Sequence, residues 1–251
     1  MTAPKIDHRD QVSAEQRLIV ALDVETAEAA LEVVHELDGL VSTFKIGLQL
    51  FSAAGPGFVR ELAESGKRVF LDLKYHDIPN TVAKAGVEAA RCGVWMFNVH
   101  AAGGSEMMKR TVAEVAEFCS SSNRQPPLII GVTVLTSSAS ETLRESGVEA
   151  GVVDQVTRLA VLAQASGLNG VVASANEITA IRTATAGKKF LIVTPGIRPE
   201  NATNDDQKRV LTPGSAISGG ADHLVVGRPI IMATDRRKAA EHLLDEIKRS
   251  L

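Results

Sequence analysis

Residues 68 to 77 read Arg-Val-Phe-Leu-Asp-Leu-Lys-Tyr-His-Asp, an apolar run followed at once by a row of charges. The apolar part is typical of a strand in a parallel sheet. Residues i and i+2 of a strand share a face, so Asp72 and Lys74 should point the same way, while Asp77 either curls back over them or reaches a neighbouring subunit. Burying such a row is costly unless every charge is paired. The stretch therefore predicts either a structural ion pair or a functional site.

Short apolar runs of the same kind recur along the whole chain and alternate with segments of helical periodicity. The predicted strands cover residues 18–24, 43–48, 69–73, 95–100, 128–135, 170–174, 190–195 and 223–227. The predicted helices cover residues 27–37, 82–91, 106–118, 152–164 and 236–248, the first with Ala30, Leu31, Val34 and Leu37 on one face. This alternation predicts a parallel sheet with right-handed crossovers.

Eight such units favour an α/β fold of one (β/α)8 TIM barrel over an open doubly wound sheet, and no GxGxxG follows the first strand. We expect a polar N-terminal extension at residues 1–16 and a catalytic barrel at residues 17–251. Two connections, residues 136–151 and 198–213, follow strands and should rise over the C-terminal face of the barrel, where barrel enzymes carry their sites. The second has the length and composition of a lid.

Composition and charge limit the possible partners. Hydrophobic residues make up 45% of the chain and aromatic residues 4%, which indicates a core of aliphatic side chains. A net charge of −3 gives no general attraction for nucleic acid or an anionic membrane, so we expect neither as a partner. Cys92 and Cys119 show no CxxC spacing, the N-terminus has no signal-peptide pattern, and no apolar run is long enough to cross a bilayer. A soluble cytoplasmic protein is the prediction.

Ionisable side chains end four successive predicted strands and should face one basin at the C-terminal end of the barrel. They are Asp23 in strand one, Lys45 in strand two, Asp72 and Lys74 in strand three, and His100 in strand four. Any one of them alone is equally consistent with a structural ion pair. Their convergence from four strands indicates a site.

A Gly-x-Arg motif follows strand seven, at residues 195–198 (Pro-Gly-Ile-Arg). A Gly-Arg motif follows strand eight, at residues 226–228 (Val-Gly-Arg). Each glycine lets the backbone approach a ligand, and each arginine supplies a cation for an oxyanion. Because barrels commonly bind phosphate after these strands, Arg198 and Arg228 are candidate phosphate ligands. The alternative is that both are surface arginines beside turn glycines.

Taken together, these motifs make the chain resemble the orotidine 5′-phosphate decarboxylase family. The resemblance lies in residues 21–23, 44–47, 70–82, 98–104, 132–136, 195–198, 205–207 and 226–228. The Asp-x-Lys-x-x-Asp core at 72–77 is shared with sugar-phosphate decarboxylases on the same barrel. Its continuation His-Asp-Ile-Pro-Asn-Thr at 76–81 and the loop containing Gln207 make the resemblance specific.

The resemblance implies roles for individual residues. Lys45, Asp72, Lys74 and Asp77 match the family's catalytic tetrad, with Lys74 as the proton donor. The substrate-binding set would be Asp23 at the ribose, Lys45 and Asp72, Thr81, Thr136 at the pyrimidine, and Pro195, Arg198, Gln207, Gly227 and Arg228 on the phosphate side. The resemblance also implies a homodimer in which Asp77 and Thr81 act in the partner's site.

The implied activity is decarboxylation of orotidine 5′-monophosphate to uridine 5′-monophosphate and CO2, the last step of de novo UMP synthesis, without cofactor or metal. His76 and His100 beside carboxylates suggest a metal site, but Lys45 stands where the sugar-phosphate relatives have a metal-binding Glu. Two alternatives remain. One is a metal-dependent decarboxylase of a keto-sugar phosphate, and the other is a barrel that binds a pyrimidine nucleotide without turning it over.

Overall fold

The computed structural model describes residues 12–185, 189–199 and 211–251, and within them the strands form one closed parallel barrel in chain order. The strands are β1 (Leu18–Ala21), β2 (Thr43–Gly47), β3 (Arg68–Tyr75), β4 (Met96–His100), β5 (Leu128–Val132), β6 (Gly170–Val172), β7 (Leu191–Pro195) and β8 (His223–Val226). β8 pairs with β1 and closes the ring. Every strand overlaps a predicted run, and the prediction of a TIM barrel is confirmed.

Helices lie between the strands and cover the barrel from outside. They are α1 (Ala14–Arg17), α2 (Ala27–Glu36), α3 (Leu48–Glu64), α4 (Pro79–Arg91), α5 (Gly104–Ser121), α6 (Ser140–Glu145), α7 (Val152–Ala165), α8 (Ile178–Ala184), α9 (Pro213–Gly219), α10 (Arg228–Ile231) and α11 (Arg236–Lys248). The five predicted helices correspond to α2, α4, α5, α7 and α11. Within the described ranges, no helix combines the length and apolar character needed to span a bilayer.

The barrel interior is filled by alternate residues of its strands, since every second side chain of a barrel strand points inward. Ile19, Ala21, Phe70, Met96, Ile130, Val193 and Val225 form this inner cluster. The side chains one position along pack outward against the helices in a second, larger core. The apolar interior ends where the ionisable residues begin, at the carboxyl ends of the strands.

Helix α2 shows a correction to the predicted buried face. Thr26 caps the helix by accepting a hydrogen bond from the backbone N–H of Ala29 at 3.2 Å. Ala30, Val33, Val34 and Leu37 are buried, whereas the side chain predicted to join them, Leu31, is 38% exposed. A helix turns about 100° per residue, so Leu31 lies well round from Ala30, and the i, i+3, i+4, i+7 set forms the stripe that meets the core.

Helix α3 was not predicted from the sequence because Gly55 and Pro56 interrupt it. Gly55 has a φ of +69°, so the helix is broken there and its two halves meet at a kink. Proline cannot donate the helical hydrogen bond but fits the first turn of the second half.

Polar and aromatic side chains pack together at the N-terminal end of the barrel. Trp95 packs edge-on against His223 with ring centroids 5.3 Å apart, and the Arg68 guanidinium lies 4.8 Å from the Trp95 ring centroid. The His223 Nδ1–H donates to the carbonyl of Gln16, in α1, over 3.1 Å. Helix α1 therefore attaches to the barrel floor, and the boundary expected between residues 16 and 17 falls inside it.

Candidate active site

The predicted ionisable residues of the first three strands meet at the C-terminal end of the barrel in a continuous chain of opposite charges. The Lys45 ammonium lies 3.1 Å from Asp23 Oδ1 and 3.4 Å from Asp72 Oδ2. The Lys74 ammonium lies 2.7 Å from Asp72 Oδ1. The Lys45 and Asp72 side chains are only 10% and 14% exposed, so the middle of this alternating row is largely removed from water, while Asp23 at one end is 54% exposed. Each buried charge is matched by an opposite one, as burial requires.

The contact between Asp72 and Lys74 arises differently from the simple strand alternation that predicted it. Lys74 has a φ of +52°, in the left-handed region that residues other than glycine seldom adopt. On either side, Leu71 pairs with Phe97 and Tyr75 pairs with Val99, so the ladder between β3 and β4 is irregular here. The proximity of the two charges was predicted, but the irregular ladder and the left-handed backbone at Lys74 were not.

Asn98 is a site residue that the sequence prediction missed. It is fully buried in β4, and its Nδ2 donates to Asp72 Oδ1 over 2.7 Å. Its Oδ1 accepts the backbone N–H of Lys74 over 2.8 Å. The available signal was an amide inside the otherwise apolar run Phe97-Asn98-Val99, since a buried amide must have hydrogen-bond partners.

Asp77 and Thr81 do not join the charged row within this chain. Both are exposed, and Asp77 Oδ1 accepts the backbone N–H of Ile78 over 2.6 Å at the start of α4. Among the described residues, no ion pair links Asp77 to Lys74. Within this chain Asp77 thus bonds the start of α4 instead of Lys74, and its expected reach into a neighbouring subunit stays a prediction.

The glycine–arginine motifs after β7 and β8 face the charged row across a cavity of about 190 Å³. The cavity is lined by Ala21, Asp23, Lys45, Pro195, Gly196, Ile197, Arg198, Val225, Gly227, Arg228 and Pro229. Arg198 is half-buried and Arg228 is exposed. The cavity lining thus holds the two guanidinium groups, the Lys45 ammonium group and the Asp23 carboxylate, so its positive charges outnumber its negative ones.

At the cavity wall, Gly227 can approach the Asp23 carboxylate closely because it has no side chain. A Cβ added to Gly227 would lie 3.0 Å from Asp23 Oδ2 and 3.5 Å from the Cβ of Ala21. Gly196 has a φ of +78°, which turns the chain between Pro195 and Arg198. Gly227 therefore permits the close approach to Asp23, and Gly196 permits the turn before Arg198.

Two predicted substrate contacts are not among the cavity-lining residues, for different reasons. Thr136 is exposed in the connection that follows β5, outside the cavity lining. Gln207 and most of the expected lid at residues 198–213 lie outside the described residues. At the edges of that segment, Ile197 forms a parallel bridge with Leu211, and the Arg198 N–H donates to the Leu211 carbonyl over 3.2 Å.

His100 lies at the end of β4 as predicted, with its ring centroid 5.3 Å from that of His76. Burial lowers the pKa of His100, and the charges of His76 and Lys74 lower it further, against an opposing effect of Asp72. The imidazole is therefore mainly neutral near pH 7. Across the part of the chain that the structure describes, no three His, Cys, Asp or Glu side chains are grouped so that they could hold a metal ion.

An ionisable site over the carboxyl ends of a closed eight-stranded barrel places this chain in the class of (β/α)8-barrel enzymes. Residues 16–243 match the model of the orotidine 5′-phosphate decarboxylase / HUMPS family. The chain belongs to this family, which confirms the resemblance seen in its sequence.

Individual relatives agree over almost the whole chain. It is 52% identical over 240 residues to the orotidine 5′-phosphate decarboxylase of Syntrophotalea carbinolica, covering 96% of this chain and 98% of that protein. It is 51% identical over 239 residues to the orotidine 5′-phosphate decarboxylase of Geobacter sulfurreducens, covering 95% and 98%. The crystal structure of orotidine 5′-phosphate decarboxylase from Lactobacillus acidophilus matches with a TM-score of 0.81 at 36% identity, covering 92% of this chain and 98% of that one.

Proposed function

We propose that this protein decarboxylates orotidine 5′-monophosphate to uridine 5′-monophosphate and CO2. The observation that carries the proposal is the row Asp23–Lys45–Asp72–Lys74 beside a cavity that Arg198 and Arg228 line on the other side. A cationic proton donor at one end and phosphate-binding cations at the other suit a nucleotide that carries a carboxylate on its base. Family membership and the names of the relatives support the same reaction.

Lys74 is the proposed proton donor. When the bond from C6 to the carboxylate breaks, its electron pair stays on a ring carbon that has no π-system to delocalise it, and CO2 leaves. A fixed ammonium beside C6 stabilises that charge, and an N–H of Lys74 then gives its proton to C6. Asp72 holds the ammonium at 2.7 Å, so the cation is in place before charge develops.

Asp72 has a second proposed part in the reaction. It would lie close to the departing carboxylate, and repulsion between the two anions would raise the energy of the bound substrate. Lys45, at 3.4 Å, keeps Asp72 paired so that this charge can be buried. Asp23, whose carboxylate is 54% exposed, is free to accept from ribose hydroxyls.

The remaining contacts are proposed from their places around the cavity and from the family. Arg198, Arg228 and the backbone at Pro195 and Gly227 would hold the phosphate, with Gln207 joining them. Thr136 would reach the pyrimidine when the connection that carries it approaches the substrate. Phosphate binding far from C6 would supply energy for orienting the base.

No metal or organic cofactor has a role in this proposal. Lys45 places an ammonium group between the two carboxylates that a metal ion would otherwise use. A cytoplasmic location is also part of the proposal, which agrees with two buried free cysteines, Cys92 and Cys119.

A homodimer would complete the site. Asp77 and Thr81 are exposed, and the neighbouring Ile78 is 66% exposed, so charged, polar and apolar groups lie together on this surface. We propose that this surface meets a second copy, so that Asp77 and Thr81 enter the partner's site.

A mixed dimer tests that arrangement. Lys74→Ala and Asp77→Ala chains, each inactive alone, should regain one working site in two when they are mixed, because one site then receives both native residues. Failure to regain any activity, with mixed dimers shown to form, would rule out sharing across the interface.

The reaction itself is tested by the fall in ultraviolet absorbance when purified protein meets orotidine 5′-monophosphate in EDTA. Turnover is the expected result. Binding of the nucleotide without turnover would instead indicate a sensor. No binding, with turnover of a keto-sugar phosphate after magnesium is added, would indicate the metal-dependent relative.

A further inference from the structure

Asn98 links β4 to Asp72 and Lys74 of β3. Its side-chain amide has one donating end and one accepting end, and both are engaged. Nδ2 donates to Asp72 Oδ1 over 2.7 Å, and Oδ1 accepts the backbone N–H of Lys74 over 2.8 Å. These two bonds fix which way the amide faces, and complete burial keeps water from replacing them.

The ladder between β3 and β4 explains why the Lys74 N–H needs a side-chain acceptor. Leu71 pairs with Phe97 and Tyr75 pairs with Val99, so the three residues 72–74 face the single residue Asn98. Over that interval the register shift interrupts the regular pairing, in which a backbone carbonyl would accept the N–H of a strand residue. The Asn98 carbonyl oxygen takes its place and satisfies a donor that would otherwise be costly to bury.

The same bond supports an unfavourable backbone conformation. Lys74 has a φ of +52°, and a left-handed conformation of a residue other than glycine is strained and persists only where the surrounding structure enforces it. With the backbone in this conformation, the Lys74 ammonium meets Asp72 Oδ1 at 2.7 Å. Asn98 donates to that same oxygen, so it orients both partners of the ion pair.

We propose that Asn98 is a positioning residue for the decarboxylation, acting through the Lys74 backbone and the Asp72 carboxylate. The inference rests on the proposed function and adds to it a residue outside the proposed catalytic tetrad of Lys45, Asp72, Lys74 and Asp77. Its role is to keep the ammonium at one point beside the substrate, because a displacement of about 1 Å can cost roughly 100-fold in rate.

Two variants of Asn98 distinguish the hydrogen bond that its amide donates from the one that it accepts. Asn98→Leu removes both hydrogen bonds at similar volume. Asn98→Asp keeps an acceptor for the Lys74 N–H but sets a second carboxylate against Asp72. Asn169→Ala is the control, because Asn169 also accepts a backbone N–H, that of Ile129 at 2.8 Å, at the opposite end of the barrel.

The measurements are kcat and KM for orotidine 5′-monophosphate and the affinity for uridine 5′-monophosphate, with thermal melting as a check of folding. Asn98→Leu should lower kcat about 100-fold while the nucleotide affinity changes less than about threefold. For Asn98→Asp, activity relative to wild type should rise as the pH is lowered, because protonation of the introduced carboxyl restores a donor to Asp72. Asn169→Ala should match wild type.

Each outcome decides between the inference and its alternatives. Normal kcat in a folded Asn98→Leu protein would overturn the inference alone. If Asn98→Leu does not fold, Asn98→Asp carries the test, and a loss of its activity that is independent of pH would indicate a merely structural role. Absence of turnover by wild type would overturn the proposed function and this inference with it.

Discussion

The ammonium group of Lys74 meets the carboxylate of Asp72 at 2.7 Å, and the Lys74 backbone at this contact is left-handed, with a φ of +52°. The two residues are neighbours on β3, yet the strand is irregular at this point and its ladder to β4 shifts register. Strain of this kind persists where the surrounding structure enforces it, and it often marks a functional site. The proposed proton donor is thus held by the fold itself.

Lys45 should be needed for both activity and stability. Replacing it in Lys45→Met leaves Asp23 and Asp72 facing each other without the cation that now lies between them. We expect kcat/KM to fall at least about 100-fold and the free energy of unfolding to fall by about 2 kcal/mol. Lys67→Met is the control, since Lys67 pairs with exposed Asp38. Unchanged kcat/KM in Lys45→Met would contradict the assigned role.

Gly227→Ala should weaken substrate binding without unfolding the barrel. The new Cβ would lie 3.0 Å from Asp23 Oδ2, and this half-exposed carboxylate can move aside, away from its place at the cavity. KM should rise about tenfold. Gly57→Ala in α3, where a Cβ meets nothing within 4 Å, is the control. An unchanged KM for Gly227→Ala would show that Asp23 is not held at a binding position.

Arg228→Ala should reduce kcat as well as affinity. The exposed Arg228 guanidinium lies at the cavity edge, and phosphate binding there would orient the distant base for reaction. Steady-state kinetics measure both constants, with Arg249→Ala, an exposed arginine near the C-terminus, as the control. A raised KM with wild-type kcat would mean that phosphate contacts only hold the substrate.

The strands were predictable from the sequence because each is a short aliphatic run bounded by polar or turn residues, and the alternation with helices then defined a barrel. Strand order in turn brought Asp23, Lys45 and Asp72 together. The kink of α3 at Gly55-Pro56 was not predictable, because glycine and proline ordinarily end a helix.

The finer geometry of the site depends on contacts between strands that lie far apart in the chain. Asn98 supports Lys74 from β4, and this pairing follows from a register shift that no local pattern reveals. The exposure of Asp77 depends on how α4 leaves the barrel. Local sequence identified the charges, while the tertiary structure determined which of them meet.

His223 should make the stability of the fold depend on pH. Burial lowers the pKa of His223 to about 4; Arg68 and Arg17 also lower it, while Asp222 and the hydrogen bond to Gln16 oppose the shift. Between about pH 6.5 and pH 4 the unfolded chain binds a proton here that the folded chain does not. Stability is therefore lost as the pH falls through this window, by up to about 3 kcal/mol.

Urea unfolding across this pH range provides the measurement. In His223→Gln the fall in unfolding free energy on acidification should be smaller than in wild type by about that amount. Exposed His35 supplies the control, and His35→Gln should keep the wild-type slope. Identical slopes for His223→Gln and wild type would show that His223 is not held neutral by burial.

The most direct test of the account is the rate of conversion of orotidine 5′-monophosphate to uridine 5′-monophosphate in EDTA by wild type and by Lys74→Ala, with uridine 5′-monophosphate binding measured for both. The account predicts turnover by wild type and a loss of a thousandfold or more in Lys74→Ala, which should still fold and bind the product. Turnover by Lys74→Ala at the wild-type rate would contradict it.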